Sequence, residues 1–364
     1  MSKIRVLLTV PHFSPSASPY REMSAIVKYL PRDEFELTIC SLRKNGIEYI
    51  SKEFADREIA YFVAPFRPRA HTLRHTWRAT VAQRTLAKRG PFDIQHSFDF
   101  SALPFEALLA RCAGRKFVYH QRNMIPQHTH FVRTRLFLAN RVVVVSKGVF
   151  DFVHELGISE KKIALIYNGI DTDAIPTRNS ASTYGNYLLS VGHIKSLKRH
   201  EDAILTLNAI RDRYPHLHLL IAGEIYDKKY YMQLVSMVAD LQLEDRVQFL
   251  GPRMDIIPLM NKARVLLHCS STEGLAWTLV EAMSVGLPVV CSALETSEEI
   301  VQDGKTGILV PVGDIDEYAK AVSDVLENRE RAQALAIAAR HTVEERFSAK
   351  TMVSQMAELY RQLA

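Results

Sequence analysis

The sequence predicts an α/β protein built from two Rossmann-like domains that face a cleft. Three observations support this prediction: the length of the chain, the regular alternation of strand and helix patterns, and one long polar segment near its middle. The chain has 364 residues, more than a single hydrophobic core normally serves. Its hydrophobic content of 47% with 24% charged residues is typical of a folded globular protein.

The first half of the chain alternates short apolar runs with helical patterns. The runs KIRVLLTV, FELTIC, FDIQHSF, KFVYHQ and NRVVVVSKG are separated by helical patterns such as SAIVKYL, LPFEALLARCAG and VFDFVHELG. Such alternation predicts a parallel sheet covered by helices. The run of valines is apolar on both faces, as in a sheet buried on both sides. We assign residues 1–172 to this N-terminal domain.

A polar segment, IDTDAIPTRNSASTYGN, interrupts the alternation and predicts a linker at residues 173–186. Beyond it the runs YLLSVG, LHLLIAGE, RVQFLG, RVLLHCS and LPVVCSA alternate again with helices, which predicts a second doubly wound domain over residues 187–345. The last residues, 346–364, form an amphipathic pattern. We expect a C-terminal helix there that crosses back to the N-domain.

Composition excludes several classes of protein. The amino-terminal run MSKIRVLLTV is too short for a secretory signal, and no run of 18 uncharged apolar residues occurs, so we expect a cytoplasmic protein without a membrane span. The four cysteines are far apart and form no CxxC pair, which argues against a zinc site or a disulfide framework.

The net charge of +6 is unevenly distributed. The stretch between Ile59 and Phe92 has no acidic residue but contains Arg67, Arg69, Arg74, Arg78, Arg84, Lys88 and Arg89. Such a stretch attracts phosphates, and we expect Arg67–Arg89 to contact an anionic membrane surface, making the protein peripheral on the inner face. A solvated helix face is the alternative. The stretch lacks the aromatic interleaving of a single-strand binder, because Trp77 stands alone among the arginines, so no nucleic-acid partner is expected.

The segment STEGLAWTLVEAMSVGLPVVCSA places two glutamates around a strand-to-helix loop. Glu273 lies in the loop, and Glu281 follows after seven intervening residues, about one turn into the helix. A carboxylate in the helix can accept hydrogen bonds from a ribose diol, while the loop carboxylate lies nearer the sugar. The loop offers phosphate the backbone N–H groups of Gly274, Leu275, Ala276 and Trp277. The alternative is an ordinary loop acid with an exposed helical glutamate.

A lysine lies in the corresponding loop of an earlier strand. The segment VGHIKSLKRHEDAI places Gly192 at a strand end and Lys198 just before a helix. An ammonium there can neutralise a departing pyrophosphate. Taken alone, a lysine ahead of a helix is often merely solvated.

Together these segments resemble the GT-B-fold retaining glycosyltransferases of family four, which build bacterial polysaccharides and glycolipids. The resemblance is strongest from about Arg141 to Val325 and includes RVVVVSKGVFDFV, NGID, RVQFLG and EEIVQDGKTGILVPVGDIDEYAKAV. It implies an enzyme that moves a hexose-type sugar from a nucleoside diphosphate sugar to a glycan or lipid-linked acceptor. The C-terminal domain would bind the donor and the N-terminal domain the acceptor, with no metal or other cofactor.

The resemblance also assigns roles to residues. Lys198 would bind the donor diphosphate, Glu281 the ribose hydroxyls, and Glu273 would lie beside the transferred sugar. Further residues implied in the site are Arg253 and Met254 at the nucleobase and His120, which closes the strand KFVYH, at the sugar pocket.

The chain departs from the family pattern at several positions. His193 replaces an arginine after Gly192, so the diphosphate grip would rely more on Lys198 and Arg199, with His193 as a pH-dependent contact. Ala276 replaces a glycine. The N-terminal glycine-rich loop is absent, and PHFSPSASPY takes its place. The hydroxyls available there to phosphate or acceptor belong to Ser14, Ser16 and Ser18, although a serine and proline turn is the alternative.

Other motifs carry less weight. The acidic triplets DTD and DID look like metal motifs but lie in turns, and no GxGxxG follows a strand. Two further functional classes stay open: a nucleotide-sugar epimerase or hydrolase of related fold, and a non-catalytic glycosyltransferase-like subunit. The sugar and base of the donor do not follow from the sequence.

Overall fold

The computed structural model describes residues 2–11, 18–42, 57, 59–64, 85–86, 89–98, 104–122, 129–178, 185–273 and 275–364. These residues form two compact units. Unit 1 consists of Met1–Gly169 with Ala349–Ala364, and unit 2 consists of Ile170–Ser348. Strands and helices are numbered below in chain order over the described residues.

Unit 1 contains a parallel sheet with the strand order β3-β2-β1-β4-β5-β6-β7. Its strands are β1 Ile4–Val10, β2 Phe35–Ser41, β3 Ala60–Val63, β4 Ile94–Ser97, β5 Lys116–Gln121, β6 Arg141–Val144 and β7 Ile163–Leu165. Most of these side chains are buried, as expected for a parallel sheet covered on both faces.

The helices described in unit 1 are α1 Ser18–Tyr29, α2 Phe105–Cys112, α3 Thr129–Leu138, α4 Lys147–Glu155 and the final helix α12 Ala349–Leu363. The last helix contributes Met352, Met356 and Tyr360 to the core that also holds Val6, Leu8 and other β1 residues. The amphipathic pattern of α12 therefore buries its apolar face in unit 1.

Unit 2 contains a parallel sheet with the strand order β10-β9-β8-β11-β12-β13. Its strands are β8 Tyr187–Val191, β9 His218–Ala222, β10 Val247–Gly251, β11 Val265–His268, β12 Val289–Ser292 and β13 Ile308–Val310. This order is that of a dinucleotide-binding fold, and it reverses between β8 and β11. Ligands of such sheets bind beyond the carboxyl ends of the strands at this switch point.

The helices of unit 2 are α5 His200–Ile210, α6 Lys228–Asp240, α7 Ile256–Lys262, α8 Trp277–Val285, α9 Glu295–Glu298, α10 Ile315–Glu327 and α11 Arg329–Arg346. Side chains cap three of them: the Asp227 carboxylate accepts from Tyr230 N at 3.1 Å, and Asp314 and Asn328 cap α10 and α11 in the same way. Asp314 of the DID triplet is thus a helix cap. Helix α8 ends at Gly286, whose φ of +78° is the left-handed conformation that glycine favours.

The structure assigns much of the polar segment near the middle of the chain to unit 2. Within residues 173–186, Arg178 N donates to Val285 O at 3.0 Å and Gly185 N to Lys262 O at 2.8 Å, while residues 179–184 lie outside the described part. Arg340 of α11 also donates to Thr172 O at 3.0 Å. The described part of this segment is hydrogen-bonded through its backbone to unit 2, and its polar composition alone does not distinguish such a segment from a free linker.

None of the helices that the structure describes combines the length and the apolar character required to cross a bilayer. The basic stretch Arg67–Arg89 lies outside the described residues except at its end, where Arg89 lies over the Phe62 ring at 5.4 Å from its centroid. Contact of this stretch with a membrane stays a prediction.

Candidate active site

Lys198 and Glu273 form an ion pair at the switch point of the unit 2 sheet. Lys198 follows β8 and Glu273 follows β11, the two adjacent strands between which the strand order reverses. The Lys198 ammonium donates a hydrogen bond to Glu273 Oε1. Both side chains are largely buried, with 17% and 11% of their surfaces exposed. The structure therefore brings together two residues that lie 75 positions apart in the chain.

Two glycines allow the loop after β8 to fold as it does. A Cβ at Gly223 would lie 1.8 Å from the Gly192 carbonyl oxygen, so the loops after β8 and β9 touch through bare backbone. A Cβ at Gly192 would lie 3.3 Å from Lys198 Cδ. The lysine stem thus packs along the glycine backbone, which fixes the approach of its ammonium to Glu273.

The Glu273 carboxylate has three polar neighbours. Besides Lys198, Ser270 Oγ donates to Oε1 at 2.6 Å, and His268 Nε2 lies 3.1 Å from the same oxygen without hydrogen-bond geometry. Burial raises the pKa of the Glu273 carboxyl, but His268 and Lys198 outweigh burial and lower it to about 2. Glu273 is therefore an ionised hydrogen-bond acceptor at neutral pH and a weak general base.

Sequence reasoning missed His268 and Ser270. They lie five and three positions before Glu273, and in an extended segment alternate residues point to the same side. Two polar side chains at spacing two, at the end of a buried strand and just before the loop glutamate, are the signal that could have identified them.

The sequence predicts that His193 and Arg199 contribute to phosphate binding. In the structure they differ in whether their side chains are available to a phosphate. The His193 ring is exposed and stacks on Tyr226, with centroids 5.1 Å apart. The Arg199 guanidinium donates to both carboxylate oxygens of Asp202, at 2.7 and 2.8 Å. Arg199 has a left-handed backbone with φ of 47° and holds the start of α5 through this pair. Arg199 could bind a phosphate only if its ion pair with Asp202 opened.

A buried histidine supports this loop. His200 Nδ1 lies 3.0 Å from Ser190 Oγ, and its Nε2 lies 3.3 Å from the His193 carbonyl oxygen. Burial lowers the pKa of His200 to about 4, against the opposing effect of its backbone hydrogen bonds to His193 and Gly192. His200 is neutral at physiological pH and holds the backbone of His193.

The loop before α8 is only partly available to a phosphate. Gly274 lies outside the described residues, and the Trp277 N–H donates to Leu275 O at 2.8 Å. Because this turn closes on itself just before the helix, the expectation that Trp277 offers its backbone N–H does not hold in this conformation. Ala276 is buried. The indole Nε1 of Trp277 is also buried and has no hydrogen-bond partner in the part of the chain that is described.

The remaining donor-side predictions fall on separate elements. Glu281 is partly buried in the second turn of α8, as its spacing from Glu273 predicts. Arg253 follows β10 and donates to both oxygens of Asp255 at 2.7 Å. Met254 beside it is 94% exposed. Neither Arg253 nor Met254 has a hydrogen bond or ion pair with Lys198 or Glu273 among the described side chains.

His120 of unit 1 lies in a buried aromatic cluster. Its ring stacks on Phe98, with centroids 4.8 Å apart, and on His96, with centroids 5.4 Å apart. Both ring nitrogens lack a hydrogen-bond partner among the described residues, and Nε2 is 3.5 Å from Glu22 Oε2. Burial, followed by the charges of Arg122 and His96, lowers the pKa of His120 well below its usual range. His120 is therefore neutral.

Sequence reasoning missed the partners of His120. His96 and Phe98 share a face at the end of β4, which pairs with β5, and Arg122 donates to Glu22 at 2.5 Å. Of the predicted serine loop, Ser14 and Ser16 lie outside the described residues. Ser18 begins α1, but its side chain is not among those described. Across the described residues, no group of three or more His, Cys, Asp or Glu is arranged to hold a metal.

The amino-acid sequence matches two models of known protein families. The family model described as "Glycosyl transferases group 1" matches residues 171–342, and that described as "Glycosyltransferase Family 4" matches residues 23–174. The chain belongs to the group 1 glycosyltransferases. Its first match spans the unit that carries Lys198 and Glu273.

Two curated relatives illustrate the range of proteins to which this chain is similar. The N-acetyl-alpha-D-glucosaminyl L-malate synthase of Bacillus anthracis is 27% identical over 65% of this chain and 63% of its own length. The GDP-mannose-dependent alpha-(1-6)-phosphatidylinositol monomannoside mannosyltransferase of Mycolicibacterium smegmatis is 26% identical over 97% of each chain. The chain spans about three fifths of the length of the first curated relatives that it matches.

Solved structures share the fold of this group 1 chain. Anabaena HepE in complex with UDP superimposes with a TM-score of 0.81 at 21% identity, covering 99% of this chain and 100% of that chain. A glycosyltransferase from Rickettsia africae superimposes with a TM-score of 0.83 at 19% identity, covering 100% and 99%. The predicted GT-B fold class of two parallel α/β sheets is confirmed.

Proposed function

We propose that this protein is a retaining glycosyltransferase that moves a hexose-type sugar from a nucleoside diphosphate sugar to a glycan or lipid-linked acceptor. The observation that carries the proposal is the buried Lys198–Glu273 pair at the switch point of the unit 2 sheet. A cation and an ionised carboxylate beside glycine backbone suit a ligand with both a diphosphate and sugar hydroxyls.

The proposed roles follow from hydrogen-bonding capacity. An ammonium has three donors, and Lys198 gives one to Glu273, which leaves donors for the oxygens of a diphosphate. The charge that grows on the leaving diphosphate would be stabilised by Lys198 in the transition state. Glu273 would hold the ammonium and accept hydrogen bonds from sugar hydroxyls. Glu281, one turn into α8, would bind the ribose.

The low pKa of Glu273 favours a reaction in which Glu273 does not remove the acceptor proton. A carboxylate with a pKa of about 2 is a weak base at neutral pH. We infer that the leaving diphosphate accepts this proton on the same face of the sugar, which would retain the anomeric configuration. No metal is needed for this step, because Lys198 supplies the positive charge.

The names of similar proteins support the donor class but not one donor. HepE was crystallised with UDP and with UDP-glucose, whereas the mycolicibacterial relative is named for GDP-mannose. The same relative is named for a phosphatidylinositol mannoside, in keeping with a lipid-linked acceptor and with peripheral contact at a membrane.

The proposal can be tested by a screen followed by an assay. Thermal unfolding would be followed with UDP and GDP sugars, and nucleoside diphosphate release from the stabilising sugar would be measured with and without a glycan or glycolipid acceptor. Release that depends on acceptor, with the product anomer matching the donor by NMR, is the expected result. Equal release without acceptor would identify a hydrolase, an epimerised sugar an epimerase, and no stabilisation by any sugar a non-catalytic subunit.

A further inference from the structure

Unit 2 contains a concave site at the opposite end of its strands from Glu273. A pocket of about 680 Å³ is bounded by Arg264, which directly precedes β11, and by Pro288, which directly precedes β12. Val285 and Gly286, at the end of α8, also line it. It therefore lies at the amino ends of these strands. Helix α8 begins at the candidate active site and ends here, a length of about 13 Å.

The lining combines an apolar wall with an excess of positive charge. Val325, Leu326 and Ile337 contribute apolar side chains from α10 and α11. The ionisable lining consists of Arg178, Arg264, Arg329, Arg340, His341 and a single acid, Glu344. Arg340 Nε donates to the Glu344 carboxylate at 2.6 Å, so the negative charge of Glu344 is balanced within this ion pair.

The arginines divide by what they contact. Arg178 and Arg340 hold backbone carbonyls: Arg178 donates to Ala263 O at 2.5 Å, and Arg340 donates to Ser284 O in the last turn of α8. These two are structural. The Arg264 guanidinium has no ion pair or hydrogen bond to other described residues. Arg264 is thus the side chain placed to meet a ligand inside the pocket. Arg329, which opens α11, is exposed and adds positive charge at the rim.

We propose that this pocket binds a small amphipathic anion, namely a free phosphate monoester that carries an apolar group. The volume is in the range of small-molecule sites, about 300 to 1,000 Å³. Guanidinium groups match phosphate oxygens in bidentate geometry, and the wall of Val325, Leu326 and Ile337 provides the apolar contact. The site does not involve Lys198 or Glu273, so it stands apart from the proposed function.

Calorimetric titration of the full chain with octyl phosphate below its micelle concentration tests the proposal. One molecule is expected to bind per chain, at least tenfold more tightly than inorganic phosphate, which lacks the apolar part, or 1-octanol, which lacks the charge. Equal binding of either control would overturn the proposal. Binding to vesicles that contain phosphatidic acid but not to octyl phosphate would also overturn it, because the occupant would then be a bilayer.

Variants locate the binding. Arg264→Gln and Arg329→Gln are each expected to weaken octyl phosphate binding at least fivefold, and Ala336→Phe to block it by filling the pocket. Arg331→Gln on the same helix is the matched control, since Arg331 pairs with Asp324 and does not line the pocket. All variants should keep the wild-type melting temperature within a few degrees.

The active-site variant Lys198→Ala separates the two sites. It is expected to bind octyl phosphate as the wild type does. Weakened binding in this variant, or unchanged binding in the Arg264→Gln Arg329→Gln double variant, would place the ligand elsewhere and overturn the assignment.

Discussion

The polar clusters of the two units differ in the charge of their central side chains. In unit 2, Glu273 is ionised and held by Lys198 and Ser270. In unit 1, His96 and His120 are stacked and buried, and burial, with Arg122 next, lowers the pKa of His96 to about 3. The unit 1 rings have a buried ion pair beside them, since Arg122 donates to Glu22, but the rings themselves are neutral. An ammonium suits the diphosphate of a donor, whereas neutral stacked rings suit an uncharged sugar. Related sheet topologies thus present two electrostatic environments, and the following changes should break or sharpen that contrast.

The largest effect is expected from Gly223→Ala, which introduces a steric clash with the backbone of the unit 2 site. The new Cβ would lie 1.8 Å from Gly192 O, so the loop that carries Lys198 must move. We expect a loss of about 3 kcal/mol or more in the free energy of unfolding, measured by urea denaturation. Gly148→Ala in α4 is the control, because its Cβ meets no atom within 4 Å. Similar stability of the two variants would contradict the account.

The next largest effect is expected from Glu273→Gln, which keeps the shape of the carboxylate and removes its charge. Lys198 would lose its buried partner, and the sugar hydroxyls would lose an ionic acceptor. We expect kcat to fall about 100-fold in the transferase assay, measured well below the melting temperature, which should also fall because the Lys198 ammonium stays largely buried without its ionic partner. Glu330→Gln on exposed α11 should leave kcat unaltered, and a Glu273→Gln enzyme as fast as that control would argue against the role of Glu273.

A smaller effect is expected from His120→Phe in unit 1. Phenylalanine keeps the stack on Phe98 but removes both ring nitrogens, so kcat should fall about tenfold through the loss of one or two hydrogen bonds to the sugar. An unchanged kcat with unchanged KM for both substrates would remove His120 from the site.

The same variant should alter the pH dependence of stability. Because the folded pKa of His120 lies well below 6.5, the unfolded chain binds an extra proton in acid, and stability is lost as pH falls from about 6.5. The unfolding free energy of His120→Phe should therefore decline less between pH 7.5 and 5.5 than that of the wild type. His341→Gln, an exposed position, should decline as the wild type does. Equal slopes in all three proteins would show that His120 is not held neutral.

The smallest effect is expected from His268→Leu, which removes a neighbour that lowers the pKa of Glu273. We expect kcat to fall about fivefold at neutral pH, and the acid limb of the pH–rate profile to move to higher pH as the Glu273 pKa rises toward 4.5. His268→Gln should restore part of the rate. A uniform loss of rate at every pH would indicate a merely structural role.

The sequence predicted the fold well because its signals are local. Alternating apolar runs and helical patterns require no knowledge of distant contacts, and the loop positions of Lys198 and Glu273 follow from strands that end just before them. Glu281 was predictable in the same way, from helix spacing. The start of a helix at about Thr278 was predictable from the sequence. The hydrogen bond from the Trp277 N–H to Leu275 O was not, because it depends on the turn geometry.

Other features depend on how residues are arranged in space, and the sequence did not predict them. His96 meets His120 only because β4 lies beside β5 in a particular register. The Arg199–Asp202 pair depends on side-chain orientation at a left-handed residue. The basic pocket joins residues from Thr177 to Glu344, far apart in the chain. The His96–His120 contact and the pocket require tertiary structure, and the Arg199–Asp202 pair requires the local backbone conformation; none of these follows from spacing along the chain alone.

The central claim is that Lys198, held in place by Glu273, binds the diphosphate of a nucleotide sugar. Calorimetric titration of UDP and GDP into the wild type, Lys198→Ala and the exposed control Lys229→Ala tests it most directly. The account predicts that at least one nucleotide binds the wild type and the control equally and binds Lys198→Ala at least tenfold more weakly. Equal affinity in all three proteins would contradict it.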